Sequence, residues 1–373
     1  MIKVGILGGG QLGRMLLQAA ANYPVETHLM ENDPHAPAAH LCHRFVQGDI
    51  RDFDAVYQFG KELDAITIEI ESVNEDALEK LEKAGVKVYP TPAALRIIKN
   101  KIRQKQFYQQ QGVPSPAFVV TGDLSELRLQ QSFLPAVHKI AEGGYDGRGV
   151  QLIHGPGDIE KGFDAPAVLE KMVAIDKEIA QIVAVDRLGN AALYPPVDMV
   201  FDPKLNLLDY QVSPAGLSER VLQDVSETAL RVVKGLNSPG IFAVELFVDR
   251  NGSVFVNETA PRVHNSGHHT IEASFCSQFD MLWRILLDYP LGNPAAILPA
   301  AIVNLLGEPG YSGPARYAGL EKVLRMEQAF VHLYGKAETR PGRKMGHVTI
   351  LDRNVQELVR TAGEIKQELK VIS

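Results

Sequence analysis

The chain has 373 residues, of which 45% are hydrophobic and 22% are charged, and its formal net charge at pH 7 is -7. These values are typical of a globular protein, and the length predicts two or three domains. The negative charge and the lack of a Lys/Arg cluster argue against nucleic-acid binding, and no apolar run approaches the roughly 18 residues of a membrane span. Because Cys42 and Cys276 are the only cysteines, a disulfide framework is excluded and a reducing, cytoplasmic location is predicted.

The first third of the chain alternates apolar runs with helical patterns. The runs that predict strands lie at 2–7, 27–30, 44–46, 65–70 and 86–89. Helices are predicted after the first strand, at 53–62 and at 75–84. This alternation is typical of a parallel, doubly wound sheet, so we predict a Rossmann-like domain over residues 1–91.

A glycine-rich turn follows the first predicted strand. Gly8, Gly10 and Gly13 have the spacing of a dinucleotide-binding turn, in which the backbone approaches a phosphate at a helix N-terminus. The acid that would bind a ribose could be Glu31 or Asp33, so an NAD-dependent dehydrogenase stays an alternative. The glycine spacing alone is a weak signal.

From residue 92 onward the pattern changes. Residues 93–111 predict one helix leading into a second domain, and predicted strands at 135–139 and 150–153 enclose a loop with four glycines. The amides of such a loop can wrap an anion, although a flexible connection is the alternative. Glu178 opens a further predicted strand, where the backbone could meet an adenine edge and the carboxylate a ribose, unless it is simply an exposed acid.

Two apolar runs flank Asp249-Arg250-Asn251-Gly252, which is a strong hairpin signal. With Asn251-Gly252 as a two-residue loop, Arg250 faces Ser253 and Glu245 faces Glu258. Facing carboxylates repel each other, so a cation should lie between them, and a divalent ion such as Mg²⁺ that also bridges substrate phosphates would fit. A register slip of one residue, or protonation of one glutamate, is the alternative.

The order of these features resembles the ATP-grasp superfamily, and longer motifs narrow the resemblance. They are the segments 8–15, 143–149, 262–273 running on to 277–279, 333–336 and 340–347. With them the whole chain resembles the family of N5-carboxyaminoimidazole ribonucleotide synthetases of purine biosynthesis. The resemblance implies mixed α/β and α+β architecture in an ATP-grasp fold: a Rossmann-like domain over 1–91, a small nucleotide lid over 92–175, and a larger antiparallel domain with a C-terminal extension over 176–373. It also implies a homodimer.

The same resemblance implies an enzyme that uses ATP, Mg²⁺ (or Mn²⁺) and bicarbonate to carboxylate 5-aminoimidazole ribonucleotide through carboxyphosphate. It assigns the nucleotide contacts to Lys101, Lys139, Gly144, Tyr145, Asp146, Gly147, Arg148, Gly149, Val150, Glu170, Lys171, Met172, Val173, Glu178, Asn257 and Glu258. It makes Glu245 and Glu258 the metal ligands. It assigns catalysis to Arg262, His264, Arg148 and Lys336, the first three as ligands of bicarbonate or carboxyphosphate. It places around the aminoimidazole nucleotide Glu69, Tyr145, Asp146, Lys336 and Arg343.

Some positions depart from the family pattern. Met199 and Phe201 stand where an asparagine and an adenosine-contacting histidine are expected, Lys101 replaces an arginine, and Val263 replaces a proline. Three other readings stay open: a zinc site, a different ATP-grasp ligase and a catalytically inactive binding protein. The candidate zinc ligands, whose spacing completes no known metal motif, are His264, His268, His269 and Cys276.

Overall fold

The computed structural model describes residues 1–144, 149–201 and 208–373. The N-terminal part is a parallel sheet with three helices. Its strands are β1 (Ile2–Leu7), β2 (Val25–Glu31), β3 (Arg44–Gln47), β4 (Ala65–Ile68) and β5 (Lys87–Val88). Its helices are α1 (Gln11–Ala20), α2 (Phe53–Gly60) and α3 (Glu75–Lys83). The strand order β3-β2-β1-β4-β5 puts the apolar β1 at the centre, and the predicted doubly wound sheet is confirmed.

Two short helices lead out of this sheet, α4 (Pro92–Lys99) and α5 (Lys101–Gln110). The single helix predicted over 93–111 is therefore wrong. Asn100 interrupts it with an extended backbone, and its side chain accepts a hydrogen bond from the Arg103 amide at 3.1 Å, so that it ends one helix and caps the next. The break places Lys101 at the first residue of α5.

A small antiparallel sheet follows, which we call the lid sheet. Its strands are β6 (Phe118–Thr121), β7 (Ala136–Ile140), β8 (Val150–Ile153) and β9 (Ala167–Lys171), in the order β6-β9-β7-β8. Helix α6 (Leu124–Leu129) and 3-10 turns at Gln131–Phe133 and Pro156–Lys161 pack on it. The predicted glycine-rich loop joins β7 to β8, and its residues 145–148 lie outside the described ranges.

The rest of the chain is built on a nine-stranded antiparallel sheet. Its strands are β10 (Ile175–Val185), β11 (Ala191–Leu193), β12 (Val197–Phe201), β13 (Leu208–Ser213), β14 (Gly240–Asp249), β15 (Val254–Ala260), β16 (Ala300–Leu306), β19 (Ala329–Leu333) and β21 (Lys344–Leu351). Two further strand pairs join β17 (Gly313–Pro314) to β20 (Glu338–Thr339) and β18 (Arg316–Ala318) to β22 (Lys370–Ile372). The helices are α7 (Glu219–Gly235), α8 (Thr270–Ala273), α9 (Gln278–Leu286), α10 (Leu320–Val323) and α11 (Val355–Glu368), with a 3-10 turn at Asn265–Gly267.

The order β15-β14-β10-β12-β13-β16-β21-β19 shows that the C-terminal strands continue the same sheet rather than form a separate one. Helix α7 covers one face, packing against Val244 and Leu246. Helix α9 covers part of the other face and also contacts the N-terminal part, where the Trp283 indole donates to the Leu16 carbonyl at 2.7 Å. The 3-10 turn at Asn265–Gly267 and α8 pack on the same face as α9, with α8 over β19 and β21, where Glu272 Oε1 lies 2.7 Å from His332 Nε2. The lid sheet contacts the large sheet at Asn257, which accepts from Lys139. In the described ranges, no helix combines the length and apolar character that a membrane crossing needs.

Candidate active site

The hairpin of β14 and β15 forms the centre of the site. Glu245 lies directly opposite Glu258, so this predicted pairing is confirmed, and β15 is the edge strand of the large sheet. Glu245 pairs on its other side with Ala180 of β10. Because residues two apart in a strand share a face, Glu178 lies on the same face as the two glutamates. Three carboxyl groups therefore point toward the lid sheet side.

The turn of this hairpin differs from the predicted two-residue loop. The Asp249 amide donates to the Ser253 carbonyl at 3.0 Å, so residues 250–252 form a three-residue loop, with Gly252 at a φ of 77°. This shifts the register by one residue, and a bulge at Asn257 shifts it back. The predicted loop is wrong, and the two shifts cancel before the glutamates are reached.

Three lysines surround the hairpin, and we call them the lysine cluster: Lys101, Lys105 and Lys139. Lys101 and Lys105 lie one turn apart on α5, and Lys139 lies on β7 of the lid sheet. The Lys101 ammonium forms an ion pair with the Glu258 carboxylate. The positive charge that facing carboxylates require is thus supplied by this lysine.

The other two lysines share one buried carboxylate. Glu170 Oε2 on β9 lies 3.1 Å from Lys105 Nζ and 3.2 Å from Lys139 Nζ, and the Glu170 side chain is only 3% exposed. Lys139 also donates to the Asn257 amide oxygen at 2.8 Å. Glu170 therefore joins α5, the lid sheet and, through Lys139, the bulge of the hairpin.

The pKa values of the facing glutamates move apart. Burial raises the pKa of Glu245, and repulsion from Glu258 and Glu178 raises it further. Lys101 lowers the pKa of Glu258, whose side chain keeps 42% exposure. Burial acts to lower the pKa of Lys101, but the carboxylates around it outweigh burial and that pKa is raised. One carboxyl thus keeps its proton to higher pH while the other stays ionised beside an ammonium, which relieves the repulsion.

The donors of the hairpin fit a hard divalent ion. Glu245 and Glu258 offer carboxylate oxygens and Asn257 an amide oxygen, which are ligand types that Mg²⁺ and Mn²⁺ prefer. Across the ranges 1–144, 149–201 and 208–373, no group of three or more His, Cys, Asp or Glu side chains could hold a metal ion by itself. A metal at this hairpin would therefore need further ligands, such as nucleotide phosphates and water.

The side chains of His268 and His269, which follow β15, are buried, and among the described residues neither they nor Cys276 belongs to a group of three or more side chains that could hold a metal ion. Burial lowers the pKa of His269 to about 4 and lowers the pKa of His268 well below its usual value. The His268 ring lies 4.7 Å from that of His347. The Cys276 thiol donates to Asp280 at 3.1 Å.

The proposed base and ribose end of the site lies on β10 and β12. Burial raises the pKa of Glu178 to about 6. Glu178 pairs with Met199, whose side chain belongs to a small apolar cluster with Ala180 and Val197, against which Phe201 packs. An apolar wall therefore lies beside the carboxylate where the family pattern has a polar residue. Lys171, Met172 and Val173 form the end of β9 and the segment leading into β10.

Four predicted site residues, namely Tyr145, Asp146, Gly147 and Arg148, lie outside the described residues. Gly144 and Gly149 flank them, and Val150 begins β8 opposite Lys139. A Cβ on Gly149 would lie 2.6 Å from the Ile140 side chain, and its φ is 85°, so this position requires glycine.

The N-terminal glycine turn surrounds a carboxylate of the protein itself. Glu69, directly after β4, accepts from the Leu12 amide at 3.1 Å. A Cβ on Gly10 would lie 2.5 Å from a Glu69 oxygen and one on Gly8 would lie 2.9 Å from the other. Glu31 bonds back to a backbone amide of the turn at 2.9 Å. The glycines therefore make room for Glu69 at the N-terminus of α1. In an NAD-dependent dehydrogenase this place would hold a cofactor phosphate, so the carboxylate of Glu69 argues against that alternative.

Arg262 connects the end of β15 to the N-terminal part. Its Nε lies 2.8 Å from Glu71 Oε1, and its charge lowers the pKa of Glu69, which burial nonetheless raises. His264 Nε2 lies 3.7 Å from Glu245 Oε1. Val263, between them, is fully buried in the core shared with α9, which accounts for an apolar residue at the expected proline position.

Lys336 and Arg343 lie on the turn around β20. Lys336 Nζ donates to the Lys344 carbonyl at 2.7 Å, and Arg343 donates to the Glu338 carbonyl at 2.7 Å. The turn reaches α1, because a Cβ on Gly335 would lie 3.4 Å from the Arg14 guanidinium. The structure thus places one end of this turn against the N-terminal part.

Sequence reasoning missed three charged residues of these surroundings: Lys105, Glu71 and Arg14. The spacing of Lys101 and Lys105 was a usable signal, because like charges four residues apart on a helix repel each other unless acids lie nearby. Glu71 and Arg14 gave no such signal, since their partners are far away in the chain.

Three family models match the chain in succession. They are a ribonucleotide synthetase preATP-grasp domain over residues 1–99, an ATP-grasp domain over 106–279, and a phosphoribosylaminoimidazole carboxylase C-terminal domain over 300–361. Together they follow the N-terminal sheet, the lid with the first part of the large sheet, and its C-terminal continuation.

Similar proteins agree with these matches. The crystal structure of N5-carboxyaminoimidazole ribonucleotide synthetase from Thermotoga maritima is 37% identical, superposes with a TM-score of 0.93, and the match covers 100% of both chains. The Aspergillus clavatus synthase, in complex with ADP and 5-aminoimidazole ribonucleotide, is 30% identical with a TM-score of 0.87 over 98% of this chain and 99% of that one. A chloroplastic phosphoribosylaminoimidazole carboxylase of Vigna aconitifolia is 35% identical over 96% of this chain, which spans 65% of that protein's length.

Proposed function

The chain belongs to the family of N5-carboxyaminoimidazole ribonucleotide synthases, which are ATP-grasp ligases, and from this we propose that it carboxylates 5-aminoimidazole ribonucleotide with bicarbonate and ATP. ATP phosphorylates bicarbonate to give carboxyphosphate and ADP. The exocyclic amine of the ribonucleotide then attacks the carboxyl carbon, and phosphate leaves. The observation that supports this most strongly is the lysine cluster beside the facing Glu245 and Glu258, because it joins anion binding to hard-metal ligands.

We assign the nucleotide to the cleft between the lid sheet and the large sheet. Lys101, Lys139 and the loop from Gly144 to Val150 would contact the phosphates, and Glu178 the ribose. Glu170 is tied to two lysines through Oε2, and its backbone, with that of Lys171 to Val173, would offer hydrogen bonds to the adenine edge. The apolar cluster around Met199 would pack against the base.

We assign Mg²⁺, or Mn²⁺ in its place, to Glu245 and Glu258, with Asn257 beside them. The ion would neutralise phosphate charge during transfer. The protein's own contribution is to hold the two carboxylates on one bulged hairpin. The bulge residue Asn257 accepts from Lys139 and so ties this hairpin to the phosphate-binding lysine.

We assign bicarbonate and carboxyphosphate to Arg262, His264 and Arg148. A guanidinium binds a planar carboxylate or a phosphate through paired hydrogen bonds. Carboxyphosphate reacts with water, so a cavity lined with cations and closed by the lid would both position and protect it.

We assign the aminoimidazole nucleotide to Glu69, Tyr145, Asp146, Lys336 and Arg343. The Aspergillus clavatus relative was crystallised with this compound, which supports the substrate class. Arg14 adds a third cation beside the turn of Lys336 and Arg343. A cationic group of this kind suits a 5′-phosphate.

Three further proposals concern the protein as a whole. We propose the domain division 1–91, 92–175 and 176–373, a homodimer, and a cytoplasmic location. The two cysteines, which are both free thiols, agree with a reducing compartment.

The proposed reaction is tested by ADP release from ATP with and without 5-aminoimidazole ribonucleotide and bicarbonate. We expect full rates only with both. The Glu258→Gln variant should lose at least about a hundredfold in rate while keeping its fold, because it removes a metal ligand from the surface of the cleft. ATP cleavage that is indifferent to both substrates, or an unchanged rate in the variant, would contradict the proposal.

A further inference from the structure

Lys101 occupies a contact that a metal ion would also need. Its ammonium is paired with the carboxylate of Glu258, one of the two proposed metal ligands. Its backbone is fixed as well, because the Lys101 amide donates to the Ala141 carbonyl of the lid region at 2.8 Å. Only the flexible side chain can therefore leave Glu258.

The other two lysines of the cluster are held elsewhere. Lys105 and Lys139 both lie within 3.2 Å of Glu170 Oε2, and Lys139 also donates to Asn257. Among the described residues of the cluster, Lys101 is thus the lysine whose ion pair involves a proposed metal ligand. This distinguishes it from a lysine that merely contributes positive charge to a phosphate site.

A divalent ion bound through Glu258 Oε2 would take the oxygen that the Lys101 ammonium contacts. The two cations repel each other at contact distance, and the repulsion is strong in a partly buried cleft. Once a metal binds, the ammonium must move to another anion. The phosphates of a nucleotide bound beside Lys139 would be the nearest new anions within reach of a flexible lysine side chain.

We propose that Lys101 is a placeholder: it holds Glu258 until a nucleotide arrives, and then transfers its ammonium to the phosphates and leaves Glu258 to the metal. The inference rests on the proposed function for the identity of the metal and nucleotide. It adds that metal binding and nucleotide binding are coupled through this one side chain. By reciprocity, each ligand then strengthens the binding of the other.

The test is Mn²⁺ binding to the nucleotide-free full chain, followed by electron paramagnetic resonance of free Mn²⁺, together with ADP binding by calorimetry. In Lys101→Met the competitor of the metal is gone, so Mn²⁺ alone should bind about tenfold tighter than in the wild type, within the usual range of coupling between two sites. ADP should bind about tenfold more weakly, because a phosphate contact is lost. The affinities for Mn²⁺ and for ADP should therefore change in opposite directions, whereas damage to the site would weaken the binding of both ligands.

Two matched variants complete the experiment. Lys101→Arg keeps the charge and should bind Mn²⁺ within about twofold of the wild type. Lys105→Met removes a positive charge from the same helix but leaves the ion pair of Lys101 with Glu258 in place. It therefore measures how much Mn²⁺ affinity rises from the lost charge alone, and this rise should be clearly smaller than in Lys101→Met. Lys101→Gln replaces Lys101→Met if the latter does not fold, as judged by its thermal transition.

The outcomes separate the placeholder from the proposed function. If the affinity for Mn²⁺ is no higher in Lys101→Met than in Lys105→Met, the placeholder role is wrong, while the proposed metal site is unaffected. If no variant and not even the wild type retains Mn²⁺ in the presence of ADP, the metal site itself, and with it the proposed function, is wrong.

Discussion

Glu170 is the carboxylate that pairs with two members of the lysine cluster. It is buried, and it neutralises Lys105 and Lys139 together. A buried carboxylate between two ammonium groups is stable only if both stay in place, because removing one partner leaves the others poorly compensated. Lys105, which touches no proposed substrate group, therefore positions Lys139 through Glu170.

Lys105 predicts a pH dependence. Burial, aided by Lys139, lowers its pKa to about 8 despite the attraction of Glu170. Above this pH Lys105 loses its proton, Glu170 is left to pull on Lys139 alone, and the contact of Lys139 with phosphate should weaken. We expect the kcat/KM for ATP to fall above about pH 8. Arginine stays charged, so in Lys105→Arg this fall should move to higher pH.

Profiles of kcat/KM for ATP against pH, measured for wild type and variant, decide this. The ionisation of bicarbonate is common to both proteins and cancels in the comparison. An identical alkaline limb in both would show that Lys105 has no such role.

For stability the sign is opposite: the unfolded chain holds this proton up to about pH 10.4, so between about pH 8 and that value the contribution of Lys105 to the free energy of unfolding rises with pH.

At the level of elements, the sequence predicted strands well and their junctions poorly. Apolar runs identify β1, β14 and β15 because burial on a sheet requires them. The loop at residues 250–252 and the bulge at Asn257 depend on backbone pairing across two strands, which no local pattern encodes. The break at Asn100 was missed for a different reason. Its capping bond competes with continuation of the helix by a small energy, and the contact of its side chain with Glu142 favours the break.

The glycine turn before α1 predicts a steric effect of substitution. A Cβ on Gly10 would lie 2.5 Å from a Glu69 oxygen, and φ at this position is -73°, so Gly10→Ala strains no backbone but must displace Glu69. We expect a loss of about 1 to 3 kcal/mol in the free energy of unfolding, as for overpacked cores. If Glu69 contacts the aminoimidazole nucleotide, the KM for that substrate should rise while the KM for ATP stays within about twofold.

The matched control is Gly363→Ala in α11. A Cβ there would meet nothing within 4 Å, so this half-buried helical position should gain about 0.5 to 1 kcal/mol from the higher helix propensity of alanine. Denaturant unfolding and steady-state kinetics of both variants give the answer. A Gly10→Ala protein as stable as the control would mean that Glu69 is not confined by the turn.

At the scale of the whole molecule, the cleft is assembled from distant parts of the chain. Arg262, just after β15, meets Glu71 of the N-terminal part, and the turn after Tyr334 meets Arg14 of α1. Helix α9 packs between the large sheet and α1 and so fixes the distance between these parts. Such long-range contacts follow from the way the sheets pack and could be anticipated only through the family resemblance, not from the residues alone.

This assembly predicts that the C-terminal turn affects one substrate and not the other. Lys336 lies far in the chain from the lysine cluster, and we assign it to the 5′-phosphate of the aminoimidazole nucleotide. Loss of a charge-assisted contact costs about 1.5 to 3 kcal/mol, so Lys336→Ala should raise the KM for that nucleotide by roughly ten- to a hundredfold and change the KM for ATP little. Lys322→Ala is the control, because that lysine belongs to an exposed ion pair with Glu368 in the same part of the chain and should leave both constants unchanged. Steady-state kinetics with each substrate varied in turn separate the cases. A loss confined to ATP would assign the turn to the ATP site, and unaltered constants would make Lys336 a structural residue that binds the Lys344 carbonyl.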